Sequence, residues 1–233
     1  MASASPLGIL SALLTPTQLA DCCGRTSGTA PPTVEVRIEG VQTNQFQLGE
    51  SERSVTVKGH DRLLTAGEIE MARTVFKDGI DYDKVRVHRG SYFWFDMQRK
   101  RTAVTPNGHM YFRDEDFLED FSAASVADGD MSWFMHEMTH VWQYQLGYSV
   151  RWHGLTVTIR GESVYQYTIT PRNVFHDYNM EQQGNLVADY FAIHVLRKYQ
   201  AIIHRGYIGA PDELDRVLAP LLRDPKNTDN LPK

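Results

Sequence analysis

The feature that most constrains this chain is a five-residue stretch, His136-Glu137-Met138-Thr139-His140, inside a run with helical periodicity. Residues four apart on a helix stand one turn apart on one face. Two imidazoles so placed can grip one Zn²⁺, and Glu137, next to the first of them, lies toward the open side of the metal. There it can take a proton from bound water and return it to a leaving amine. The surrounding residues Trp133, Phe134, Met135, Val141 and Trp142 are apolar and aromatic, so the helix from Asp130 to Leu146 is expected to be buried. Buried imidazoles and a buried carboxylate need compensating partners, which a metal supplies. Two histidines on a surface helix are the plainer alternative.

A catalytic zinc needs a third protein ligand. The residues after His140 are Val-Trp-Gln-Tyr-Gln-Leu-Gly, with no third histidine. The next carboxylate at a helix start is Glu181, which opens a second long helix expected over 180–203. Asn185 and Asp189 follow it at four and eight residues, on one stripe, where groups that orient ligands would stand. Glu181 also reads as an ordinary acidic residue of a first turn.

The segments His136-Glu137-Met138-Thr139-His140-Val141-Trp142-Gln143, Tyr178-Asn179-Met180-Glu181-Gln182-Gln183 and Asp189-Tyr190 together resemble the zincin metallopeptidase domain of VgrG-related proteins, over roughly residues 60–205. Some members are fused to type VI secretion spike proteins as effector domains and others stand alone. The resemblance implies an α+β, zincin-like (gluzincin) fold, with a small sheet packed on the active-site helix and a helical C-terminal half. It implies zinc on His136, His140 and Glu181, with Glu137 as general base. Asn185 replaces the acidic residue that thermolysin-like enzymes often carry there, leaving Asn185 and Asp189 as rival second-layer groups. His176 and Tyr178, just before the Glu181 helix, are the candidates for stabilising an oxyanion, and packing against the helix start is the alternative for both.

The implied activity is zinc-dependent hydrolysis of peptide bonds in a peptide or protein substrate. Its setting is that of a type VI secretion effector or associated factor, with spike proteins and a cognate inhibitor as partners. Two other readings stand beside it: a non-catalytic structural or adaptor protein keeping the zincin fold, and a zinc amidase acting on cell-wall peptide.

The rest of the 233 residues bounds these readings. A net charge of −5 and a pI of about 6.0 offer no basic excess for nucleic acid. No run approaches the ~18 apolar residues of a membrane span. Leu7–Leu14 is too short and too broken for a confident secretory signal. The expectation is a protein cytoplasmic as made and delivered by a secretion system to another compartment or cell. The only cysteines, Cys22 and Cys23, are adjacent and suggest no disulfide framework.

Residues 1–33 read as a flexible segment and 34–233 as a single domain with its core at about 60–205. Val34–Ile38 reads as a short edge strand. Thr65-Ala66-Gly67-Glu68 fits a capping box opening a helix through Phe76. Val85–His88 and two short strands around Pro106-Asn107-Gly108 follow. Asp114–Phe121 reads as a short acidic helix with a solvated face. Leu155–Ile159 and Val164–Ile169 look strand-like, and Pro211–Leu222 helical. The aromatic run Tyr92–Phe95 reads as core or a packed hairpin. His60, His88, His109, His153, His194 and His204 receive no metal role.

Overall fold

The computed structural model describes residues 55–92, 103–150, 162–202 and 211–233, all within one compact unit, residues 51–233. The segment 1–33, the strand at 34–38, residues 93–95 of the aromatic run, the strand at 155–159 and the histidines at 153 and 204 lie outside the described residues. The protein is α+β, with a small sheet and a helical C-terminal half.

Strand β1 (Asp61–Leu63) leads into helix α1 (Ala66–Phe76). The capping box forms as expected: Glu68 N–H donates to Thr65 Oγ1 at 3.1 Å and Thr65 N–H to Glu68 Oε2 at 2.9 Å. Glu68 is fully buried. It accepts two bonds from Arg62, at 2.7 and 2.8 Å, and one from the Phe121 N–H at 2.8 Å.

That clamp explains one departure from expectation. Residues 114–121 form turns instead of a helix. The Phe121 N–H is committed to Glu68, and Arg62 holds the Leu118 carbonyl at 2.8 Å. The acidic side chains of this stretch are tied as well. Asp114 accepts from Arg89, Glu119 from the Thr56 N–H and hydroxyl, and Asp120 from Thr65. These bonds tie the segment to Arg89, to α1 and to the chain before β1, while Asp114, Glu115 and Glu119 keep part of their side chains in solvent.

Strands β2 (Arg86–Arg89), β3 (Ala103–Val104) and β4 (Met110–Phe112) complete the sheet, in the order β1-β2-β4-β3. β2 and β4 run parallel, with Val87 opposite Met110, and the outer pairings are antiparallel. Alternation places Val87, Met110 and Phe112 on the buried face. Phe112 packs on Phe121 (4.5 Å between centroids) and on Trp133 of helix α2 (Asp128–Gln145) at 5.1 Å. Phe134, Met135, Met138, Val141 and Trp142 of α2 are fully buried, so α2 is the central helix its sequence promised.

Helix α3 (Met180–Tyr190) makes the most extensive helix-to-helix contact with α2. The single helix expected over 180–203 ends earlier. A π-helical turn spans Phe191–Val195, the Leu196 N–H reaches back to the Phe191 carbonyl, and Arg197 takes a left-handed φ of 60° that turns the chain away.

Residues 164–169 form no strand. A 3₁₀ turn at Glu162–Tyr165 leads into irregular chain, and carbonyls of both are taken by side chains of the α3 region. Asn179 donates to Val164, Asn185 to Tyr165, Gln182 to Gln166 and Tyr178 to Thr168. Side-chain donors thus replace a neighbouring strand. Helix α4 (Pro211–Arg223) and a 3₁₀ turn at Thr228–Asn230 close the fold.

Candidate metal centre

Helix α2 presents His136 and His140 one turn apart, and the first turn of α3 presents Glu181 opposite them. The cap of α3 fixes that turn: Asn179 Oδ1 accepts from the Glu181 and Gln182 N–H groups at 3.0 and 2.9 Å. The three side chains converge. Nε2 of His136 and Nε2 of His140 lie 3.1 Å apart, and Glu181 Oε2 lies 3.1 Å from the first and 3.3 Å from the second. All three residues are buried.

The far side of each ring decides what these atoms are. His136 Nδ1 is 2.9 Å from Asn185 Oδ1, and the Asn185 amide nitrogen is spent on the Tyr165 carbonyl at 2.7 Å. His140 Nδ1 is 2.9 Å from Gln143 Oε1, and the Gln143 amide nitrogen faces the Met180 carbonyl at 3.3 Å. Carbonyls only accept, so each amide presents its oxygen to the ring and each Nδ1 carries a proton. Both Nε2 atoms are therefore lone-pair donors aimed at each other and at a carboxylate. Three acceptors at about 3 Å repel unless a cation lies among them, and two imidazoles with one carboxylate are a zinc donor set. The residues fit the metal.

Without metal, the same groups favour a proton on His140. Burial works against charge on His140, but the Glu181 carboxylate overcomes it, and His140 is pushed up to about 9. Burial likewise disfavours the Glu181 carboxylate, but the two imidazoles hold it well below the usual carboxylate range.

Glu137 stands beside this cluster without joining it. It is buried, and its Oε2 accepts a 2.7 Å bond from the hydroxyl of Thr105, just after β3. The turn that follows packs on the same helix: a Cβ on Gly108, whose φ is 78°, would meet the ring of Tyr144 at 2.5 Å. The β3–β4 hairpin thus lies along α2, with β3 at the edge of the sheet among the described residues.

No family model matches the chain. The type VI secretion system spike protein VgrG2b of Pseudomonas aeruginosa is 42% identical over 136 residues, 56% of this chain and 13% of that protein. The solved effector domain of P. aeruginosa VgrG2b is 34% identical; the match covers 66% of this chain and 84% of that one, with a TM-score of 0.50. The chain belongs to the family of the VgrG2b effector domain. It spans only a small part of the full spike protein's length.

Within this VgrG2b-type domain the structure brings His136, His140 and Glu181 together with Glu137 alongside, and the hydrogen bonds of the two remaining candidates go to other groups. His176 lies against the segment that follows α4: its Nδ1 is 3.1 Å from the Asp229 carbonyl and its Nε2 2.9 Å from Lys233 Nζ. The hydroxyl of Tyr178 donates to the Thr168 carbonyl at 3.2 Å. Both contacts brace the entry to α3. Between the rival second-layer groups, Asn185 holds His136, and Asp189 accepts from the Tyr167 hydroxyl at 2.7 Å.

Four residues that the sequence left without a role contribute here: Thr105, Gln143, Gln183, whose Oε1 accepts from Gln143 at 2.9 Å, and Gly184. Gly184 allows the closest approach, because a Cβ there would lie 2.6 Å from His136 Cε1 and 2.7 Å from Nδ1. A glycine inside a helix costs about 1 kcal/mol relative to alanine, so its presence between Glu181 and Asn185 was the available signal. Gln143, three residues after His140 on the same helix, was legible in the same way.

Proposed function

We propose that this chain is a zinc-dependent metallopeptidase of gluzincin type that acts as a type VI secretion effector domain. Kinship with the VgrG2b effector domain supports the setting. His136, His140 and Glu181 would hold the metal. A bound Zn²⁺ supplies an acidified water and a Lewis acid for the peptide carbonyl.

The observation that carries the enzymatic reading is Glu137. A buried carboxylate one residue from a ligand, yet bonded to Thr105 instead of the cluster, is costly to a scaffold and useful to a hydrolase. Glu137 takes the proton from the attacking water and passes it to the leaving amine. Thr105 holds the carboxylate in place and leaves its second oxygen for that transfer. Among the described residues β3 is the sheet edge, and the main chain of Val104 and Thr105 beside Glu137 would hold an extended peptide. Secretion spike proteins, as carriers, and a cognate inhibitor in the producing cell belong to the same proposal.

The test is Glu137→Ala. The variant keeps its zinc, measured by elemental analysis, and hydrolysis of an unfolded protein substrate falls by roughly 10²–10⁴. Wild-type hydrolysis rates in the zinc-loaded variant would refute the mechanism. Delivery is tested separately. Exported to the periplasm of a susceptible bacterium, the wild type arrests growth and Glu137→Ala does not.

A further inference from the structure

Beneath His140 the hydrogen bonds continue past Gln143 in one direction. Gln143 Nε2 donates to Gln183 Oε1 at 2.9 Å, and Gln183 Nε2 donates to the carbonyls of Phe175 and Asn230, both at 2.9 Å. Gln143 and Gln183 are completely buried. Asn230, in the turn Thr228–Asn230, is itself buried and tied to the Asp224 carbonyl at 2.9 Å. Gln143, Gln183 and Asn230 are shielded from bulk solvent, so the polarity of the line is set by its ends.

We propose that Gln143 and Gln183 form a directional amide relay from the Phe175 and Asn230 carbonyls to His140, and that this relay selects the ring nitrogen His140 offers to a metal. The two carbonyls can only accept. Gln183 must therefore turn its nitrogen to them and its oxygen to Gln143. Gln143 must turn its nitrogen to Gln183 and its oxygen to His140, which must then carry its proton on Nδ1 and leave Nε2 free. Reversing either amide makes Nδ1 an acceptor and puts the proton on Nε2, aimed at Glu181 and His136. A ring in that state donates a hydrogen bond where it should ligate. Both glutamines are positioning residues, and the inference rests on the metal-binding part of the reading above.

The relay predicts an order of effects that simple packing does not. Gln183→Met removes the acceptor facing Gln143 and leaves that amide only the Met180 carbonyl to orient it. Gln183→Glu keeps an oxygen facing Gln143 but sets a carboxyl against the Phe175 and Asn230 carbonyls. Zinc affinity should therefore fall in Gln183→Met and survive in Gln183→Glu, whereas thermal stability should suffer at least as much in Gln183→Glu.

The experiment uses the full chain labelled with ¹⁵N-histidine. Zn²⁺ dissociation constants come from chelator competition. The ring nitrogens are observed by NMR with and without ¹¹³Cd²⁺. Expected are a zinc dissociation constant about 10–100-fold higher for Gln183→Met, a near-wild-type value for Gln183→Glu, coupling of cadmium to Nε2 of His140, and a sheltered Nδ1–H on that ring. A folded Gln183→Met with wild-type zinc affinity overturns the relay, as does a wild-type His140 that bonds cadmium through Nδ1. If Gln183→Met does not fold, the wild-type ring assignment decides alone. If the wild type takes up no metal, the function proposed above fails. The relay is then judged in the metal-free protein above about pH 10, where a singly protonated His140 must carry its proton on Nδ1; a ring protonated on Nε2 there overturns the relay.

Discussion

Two pairs of histidines lie close together in this fold, and they behave in opposite ways. His136 and His140 face each other on one helix, with a carboxylate 3.1–3.3 Å from both Nε2 atoms and an amide oxygen behind each ring. The rings of His88 on β2 and His109 just before β4 have centroids 5.9 Å apart. The His88 ring stacks on Tyr111, and its Nδ1 is 3.9 Å from Asp61. Burial pushes both His88 and His109 down, with Arg86 reinforcing it and Asp61 opposing it too weakly to win. The first pair has a donor set that could hold a cation, and the second is pushed toward its neutral form. Proximity of imidazoles is common to both; what differs is an acceptor behind each ring and a carboxylate between them.

The comparison breaks most sharply under alanine substitution. His140→Ala should take zinc content from one equivalent per chain to near none, and His88→Ala and His109→Ala should leave it unchanged. Elemental analysis of protein purified without chelator reads the result. Metal lost equally from both pairs would erase the distinction.

The next effect is the pH dependence of the metal-free protein. His140, raised from 6.5 to about 9, contributes stability that is complete below 6.5 and lost as pH rises through about 9. The loss is up to roughly 3 kcal/mol. Glu181, whose unfolded value is near 4.5, contributes stability above that value that is lost as acid protonates the folded carboxylate. His88 and His109, lowered from 6.5, act oppositely to His140: stability falls as pH drops below 6.5. Denaturant titrations from pH 5 to 10 should show both limbs without metal, and zinc should remove the alkaline one. An alkaline limb that persists in the folded, metal-free His140→Ala protein would assign it to another group.

A smaller effect concerns the support behind His136. Asn185→Leu should raise the zinc dissociation constant about 10–100-fold, while Asn185→Asp, which still accepts from His136 Nδ1, should keep most of the affinity. Chelator competition separates the two variants. The smallest is Gly184→Ala. The substitution favours the helix by about 1 kcal/mol, but its Cβ meets the His136 ring, so overpacking costs roughly 1–3 kcal/mol. The expected outcome is a lower unfolding temperature with zinc bound and a smaller deficit in chelator.

Several elements were legible because their signals are local. The capping box at Thr65–Glu68, the hairpin turn at 106–108 and the long apolar stripe of α2 each rest on contacts within a few residues. The acidic stretch 114–121 and the segment 164–169 misled for the same reason. Their local patterns favoured a helix and a strand, and distant groups, Arg62 and Glu68 in one case and the α3 amides in the other, claimed the backbone.

The sequence by itself determined the donors. A five-residue motif on a helix fixes two imidazoles and a carboxylate by the 3.6-residue turn, and the chemistry of those side chains follows without further help. Only the tertiary structure decided that Glu181 meets them, that Asn185 stands behind His136, and that Tyr178 bonds the Thr168 carbonyl and His176 the Asp229 carbonyl. Those outcomes depend on how α3 docks against α2, on a glycine that lets the helices close, and on which buried carbonyls lie within reach of which amides. Hydrogen-bond direction inside a protein is set by groups far apart in the chain, and periodicity carries no record of it.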